Sequence, residues 1–250
     1  MRALTVFPCE GETLAGTLDA ANGTTGLLIV SGGSEIRIGA HRGMALLAGR
    51  VAAAGYPVLR FDRRGVGDST GPNGGYASSA ADIAAAAAHL RAVQPALRRV
   101  VGFGNCDAAT ALALYGPAAG IDGFVLANPW TIEDEDDLPP PAAIRARYAA
   151  KLRSPRELWR LVSGGVDLTK LVRGLRRAGV RPTGGLAQRL AAAVPGDATI
   201  LTAAGDNTAI AFRVALPDAA VIERTTASHS FAGPGDADWL FAQVLAKLRD

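Results

Sequence analysis

The sequence predicts an α/β fold on a mostly parallel, doubly wound sheet, and three observations predict it. Apolar runs of strand length alternate with Ala/Leu-rich stretches of helical period along most of the chain. The runs are continuously apolar, as strands covered on both faces require. Several of them end in Gly-containing turns that lead straight into helix starts. A length of 250 residues with 49% hydrophobic content suits one large core, so residues 1–250 are read as one domain carrying an insertion.

Taken in order, residues 2–7 and 12–18 form two short strands around Cys9-Glu10-Gly11, an antiparallel hairpin at a sheet edge. Core strands follow at 26–31, 57–61, 100–103, 123–127, 199–203 and 220–223. Helices are expected at 41–54, 79–93, 107–115 and 236–248, with Gly55 closing the first and Pro95 following the second. The rhythm breaks at the acidic run Glu133 to Asp137 and at Pro139-Pro140-Pro141, after which a helical pattern continues to Pro195 without a strand. Residues 131–195 are therefore read as a helical cap insertion. Between Ile144 and Leu190 basic residues recur from Arg145 to Arg189 against only Glu157 and Asp167. A solvated helical face balanced by the acidic run accounts for this; so would attraction to an anionic substrate, an anionic membrane surface or an acidic partner.

The overall charge excludes some functions. A net charge of +3 is far from the concentrated footprint of a nucleic-acid binder, and no helix-turn-helix, zinc-finger or RNA-recognition pattern accompanies it. Pro8 and Glu10 interrupt the N-terminus, and no uncharged stretch is long enough to span a bilayer, so a cytoplasmic location is expected. The two cysteines, Cys9 and Cys106, form no Cys-x-x-Cys and join no His cluster, so no metal is expected.

The strongest local signal runs from Val100 to Thr110: an apolar strand, the tight turn Gly104-Asn105-Cys106-Asp107-Ala108, then a helix. A nucleophile at such a turn is projected above the strand ends, and the helix behind it aims backbone N–H groups and positive dipole at developing negative charge. A thiol needs less help from a base than an alcohol does. The bland alternative is a buried, inert cysteine at a strand end.

These residues resemble the α/β-hydrolase superfamily, whose nucleophile elbow reads G-x-S-x-G. Here Cys stands in place of Ser, as in the similar dienelactone hydrolases, and Ala108 replaces the last Gly. The resemblance implies a triad in the order nucleophile, acid, histidine. Asp206, after the strand at 199–203, and His229, before the last helix, occupy the matching places. Asp206 would orient the imidazole, and His229 would take and return the proton. A Gly-Asp turn is the bland reading of Asp206, and Asp107 is a weaker alternative acid. Of the other histidines, His41 borders the expected pocket and His89 reads as a packing residue. The oxyanion donors expected are the N–H of Asp107 and that of Gly33 or Ser34, in the loop after the first core strand. Asp62 to Ser69 resembles the superfamily's D-x-R-G-x-G-x-S segment, read as a structural buttress. More narrowly, Ser31-Gly32-Gly33, Ile38 to Arg42, the elbow and Asn128-Pro129-Trp130 resemble the exosortase A system-associated hydrolase type 1 family, linked to bacterial exopolysaccharide gene clusters. What the resemblance implies is a small-molecule ester or thioester hydrolase with an acyl-Cys106 intermediate and no cofactor. An acyltransferase using the same intermediate, or a scaffold that kept the fold and lost turnover, are the alternatives.

Overall fold

The computed structural model describes residues 1–132 and 185–250. Eight strands form one sheet: β1 Arg2–Cys9, β2 Glu12–Asp19, β3 Thr25–Val30, β4 Val58–Phe61, β5 Arg99–Asn105, β6 Gly123–Ala127, β7 Thr199–Ala203 and β8 Ile222–Arg224, in the order β1-β2-β4-β3-β5-β6-β7-β8. The expected edge hairpin is present: β1 pairs antiparallel with β2, and β2 antiparallel with β4. From β4 through β8 every pairing is parallel. The described helices are α1 Gly43–Ala53, α2 Ser79–Val93, α3 Asp107–Tyr115, α4 Gly185–Ala193, α5 Asn207–Ala215 and α6 Asp236–Arg249.

The period-2 alternation of β3 shows how the sheet divides the core. Leu28 and Val30 join Leu59, Phe61 and residues of α2 to α5 on one face, whereas Leu27 and Ile29 join Val58, Val101 and residues of α1 and α6 on the other. The reversal of winding at β3 places the C-terminal ends of β3 and β5 side by side, where open α/β sheets bind their ligands.

Two local expectations are corrected. The first helix starts at Gly43 and not at residue 41, because His41 (φ 53°) and Arg42 (φ 62°) adopt left-handed backbone that cannot continue a helix. Helix α5 was not expected; β-branched Thr208, Ile210 and Val214 blur its helical pattern, and its one clear signal is the Asp206 cap before it. The expected cap falls largely on residues 133–184, which lie outside the described residues. Of the rest, α4 packs against α3, with Leu186 and Leu190 fully buried. Leu190→Ala is therefore expected to lower stability by about 2–5 kcal/mol, the cost of a truncated core leucine, read as the midpoint of denaturant unfolding. A surface-like change below about 0.5 kcal/mol would return α4 to the periphery.

Candidate active site

Cys106 sits where β5 gives way to α3, with φ 63° and ψ −129°, a conformation an L-residue holds only when its surroundings impose it. The surroundings do so through every backbone group. The Cys106 N–H donates to Ala127 O at 3.0 Å, and the Cys106 carbonyl accepts from Ala109 N (3.1 Å) and Trp130 N (3.3 Å). Gly104 is required by close packing: a Cβ there would lie 2.7 Å from the Ala108 carbonyl carbon. The Ala at position 108 is tolerated because its methyl enters the core, fully buried.

The sequence-distant partners arrive on two loops. Asp206 ends the turn after β7 and is the N-cap of α5, its Oδ2 accepting from Thr208 N and Ala209 N at 3.1 Å each. The same Oδ2 lies 3.0 Å from His229 Nδ1. One carboxylate oxygen therefore both caps α5 and meets the imidazole, so the helix start fixes the group that faces His229. The loop carrying His229 is pinned at its far side by Asp236, fully buried at the start of α6, which accepts from Arg224 Nε (2.8 Å), Thr226 Oγ1 (2.7 Å) and Gly233 N (3.1 Å). Those three bonds, with the Arg224 guanidinium foremost, hold the Asp236 carboxyl below its usual range.

His229 is pushed up to about 10, first by its hydrogen bond to Asp206 and second by the Cys106 side chain, against a smaller opposing effect of burial. The imidazole therefore holds a proton across neutral pH. The other histidines stand apart from this group. His89 stacks on Phe7 at 4.6 Å and meets Thr5 Oγ1 at 2.7 Å, the packing role expected of it, while burial lowers its pKa. His41 is exposed in the turn before α1.

The oxyanion side departs from expectation. The Gly33 N–H is already engaged, donating to Asp107 Oδ1 at 2.5 Å. Asp107 Oδ2 accepts from Arg63 at 2.9 Å, and the same Arg63 nitrogen donates to Gly33 O at 2.7 Å. The Arg63 side chain is buried to 2% exposure and also reaches Ser79 Oγ at 2.9 Å. Arg63 thus ties the loop after β3 to the elbow, a role missed in the sequence, where its segment was read as a general buttress. Asp107 is engaged in this tie, whereas the carboxylate that meets His229 is that of Asp206. Gly32 permits the close approach, since a Cβ there would lie 2.5 Å from Asn105 O.

A model of the alpha/beta hydrolase family matches residues 27–246. No curated protein sequence matches. Among solved structures, the chain is similar to the Pyrococcus furiosus esterase Pf2001 (TM-score 0.64, 15% identity, covering 100% of this chain and 90% of that one). It is also similar to XC6422 from Xanthomonas campestris, described as an a/b serine hydrolase without lid (TM-score 0.61, 14% identity, 99% and 94% covered). A third likeness is to the thioesterase domain from the curacin biosynthetic pathway (TM-score 0.57, 15% identity, 98% and 99% covered). At these identities the likeness concerns the fold.

Two predictions follow from the electrostatics. Because the His229 pKa is raised, the stabilisation it gains from Asp206 is complete below the ordinary value of 6.5 and is lost as pH rises through about 10. Asp206→Asn keeps the helix cap and removes the charge, so the His229 midpoint measured by NMR falls toward the ordinary range while α5 persists; an unmoved midpoint contradicts the assignment. Arg63→Ala leaves Asp107 without its buried counter-charge and is expected to cost about 3–5 kcal/mol in chemical denaturation, with part of the loss recovered by adding Asp107→Asn. Additive losses in the double variant would deny the coupling.

Proposed function

Because this chain belongs to the alpha/beta hydrolase family, we propose that it hydrolyses carboxylic esters or thioesters through an acyl intermediate on Cys106, with His229 and Asp206 completing the relay. The observation that carries this reading is the convergence on one imidazole of a fixed carboxylate at Nδ1 and of the elbow cysteine as second contributor to its raised pKa. Cys106 Sγ, its proton held on His229, attacks the acyl carbon. The C–S bond forms, the bond to the alkoxide or thiolate breaks, and the imidazolium proton passes to the leaving group. Acylation removes the sulfur's contribution to the His229 pKa, so the imidazole is more readily in the neutral form that can accept a proton when water must be activated. Water adds to the thioester, His229 takes its proton, and the acid departs as the C–S bond breaks. No step requires a metal or an organic cofactor.

Backbone donors stabilise the oxyanion of each tetrahedral intermediate. The N–H of Asp107, at the first position of α3, is one donor in this reading and the N–H of Ser34 the other, while Gly33 serves in the resting enzyme as partner of the Asp107 carboxylate. The esterase and thioesterase among the similar structures support ester or thioester chemistry as a class. The narrower reading, a likeness to the exosortase A system-associated type 1 hydrolases, rests on the segments at residues 31–33, 38–42, 104–108 and 128–130.

Hydrolysis of p-nitrophenyl acetate or butyrate is expected to fall by at least ~10³-fold in Cys106→Ala and by roughly 10²- to 10⁴-fold in His229→Ala. Wild-type rates in Cys106→Ala would overturn the nucleophile assignment.

A further inference from the structure

We infer that Asn105 and Asn128 are positioning residues for His229, their two side-chain amides converging on its main-chain carbonyl and setting where the imidazole stands over the elbow. The inference rests on the relay reading above, and it adds a second anchor that is independent of Asp206.

The network starts at the ends of three adjacent strands. Asn128 follows β6, is fully buried and adopts φ 42°, a left-handed conformation in which Asn is better tolerated than most residues. Its Oδ1 accepts from Ala203 N, the last residue of β7, at 2.8 Å. Its Nδ2 donates to Asn105 Oδ1 at 3.1 Å and to His229 O at 3.1 Å. Asn105, the last residue of β5, donates from its own Nδ2 to His229 O at 3.0 Å.

The donor directions are forced and not a matter of choice. An amide N–H can only donate, so the Asn128 atom facing Ala203 N is oxygen and the one facing Asn105 and His229 is nitrogen. That nitrogen in turn requires Asn105 to present its oxygen, leaving the Asn105 nitrogen for His229. Both lone pairs of the His229 carbonyl are then filled by side chains from the rigid end of the sheet.

A loop carbonyl has no need of this. The segment between β8 and α6 is irregular, and a carbonyl in such a loop is ordinarily satisfied by water or by a turn partner. Here two largely buried amides, one of them the residue directly before the nucleophile, reach it instead. The imidazole is therefore fixed at two points: its backbone relative to Cys106 through Asn105, and its ring through Asp206. Displacing the backbone would weaken the Nδ1 bond to Asp206 and carry the ring away from the sulfur, the misplacement to which proton transfer is most sensitive. Among the described residues, the side chains that raise the imidazole's pKa are those of Asp206 and Cys106.

The test is the NMR titration of all three histidines in full-length wild type, Asn105→Ala, Asn128→Ala and Asn128→Asp. The last keeps size and the Ala203 bond but turns an acceptor against the His229 carbonyl. The expected result is a His229 midpoint lower by roughly one pH unit or more in the alanine variants. The signal of His89, stacked on Phe7 in the other half of the molecule, should stay in place and report an intact fold. In parallel, kcat should fall roughly 10- to 100-fold with KM changed less than about threefold, as expected for lost alignment and not lost binding. If Asn128→Ala does not fold, Asn105→Ala decides. An unmoved His229 midpoint in folded Asn105→Ala, or a loss of kcat that only tracks loss of folded protein, overturns the inference. The titration needs no turnover, so a wild-type enzyme inactive on every ester would overturn the proposed function and leave this result to stand or fall separately.

Discussion

The site depends on one backbone conformation, the left-handed turn at Cys106. Such a turn costs about 1–3 kcal/mol and holds only where neighbours prescribe it. Here Ala127 receives its N–H, Ala109 and Trp130 fill its carbonyl, and Gly104 lets the helix close against the strand. What the strain achieves is placement: a thiol at a helix start, above the ends of two parallel strands, near loops that bring His229 and Asp206 together. The sheet order produces that convergence, since β5 lies between β3, whose loop carries Gly33 and Ser34, and β6, whose end carries Asn128.

Around that turn the protein keeps two carboxylates with opposite tasks. Asp206 stands against the imidazole and raises its pKa, so the proton rests on His229. Asp107 adjoins Cys106, and an unpaired negative charge there would oppose the anionic intermediates of the proposed reaction. Arg63 neutralises it from a buried position and spends its remaining donors on Gly33 O and Ser79. Burial of the Arg63–Asp107 pair makes it stronger and costly to break, which ties the loop after β3 firmly to the elbow.

Much of this was legible in the sequence. Continuous apolar strands separated by helical stretches gave away the parallel sheet, and β1 with β2 announced an antiparallel edge through alternation and a tight turn. Cys106 stood out by its strand–turn–helix setting, and Asp206 and His229 by the order of nucleophile, acid and histidine that the superfamily resemblance implies; the fold brings Asp206 and His229 within 3.0 Å of each other. What stayed hidden was every relation between side chains of distant segments. Arg63 looks like any other arginine in a Gly-rich loop until the fold sets it under Asp107. Gly33 reads as a free donor until the Asp107 carboxylate is seen to occupy it. Asn105 and Asn128 lie 23 positions apart and reveal their shared carbonyl only once β5, β6 and the His229 loop are assembled. Helix α5 was obscured because its β-branched residues carry a weak pattern, and its cap, Asp206, was already spoken for as the acid.

The central claim is covalent: an acyl group resides on Cys106 during turnover. Rapid-quench intact-mass spectrometry of the wild-type protein and Cys106→Ala, after brief exposure to short-chain activated esters and acyl thioesters, tests it most directly. The account predicts a transient adduct of the acyl mass, mapped to the peptide containing Cys106 and absent from the variant. Product release without any adduct on Cys106, or an adduct that survives in Cys106→Ala, would contradict it.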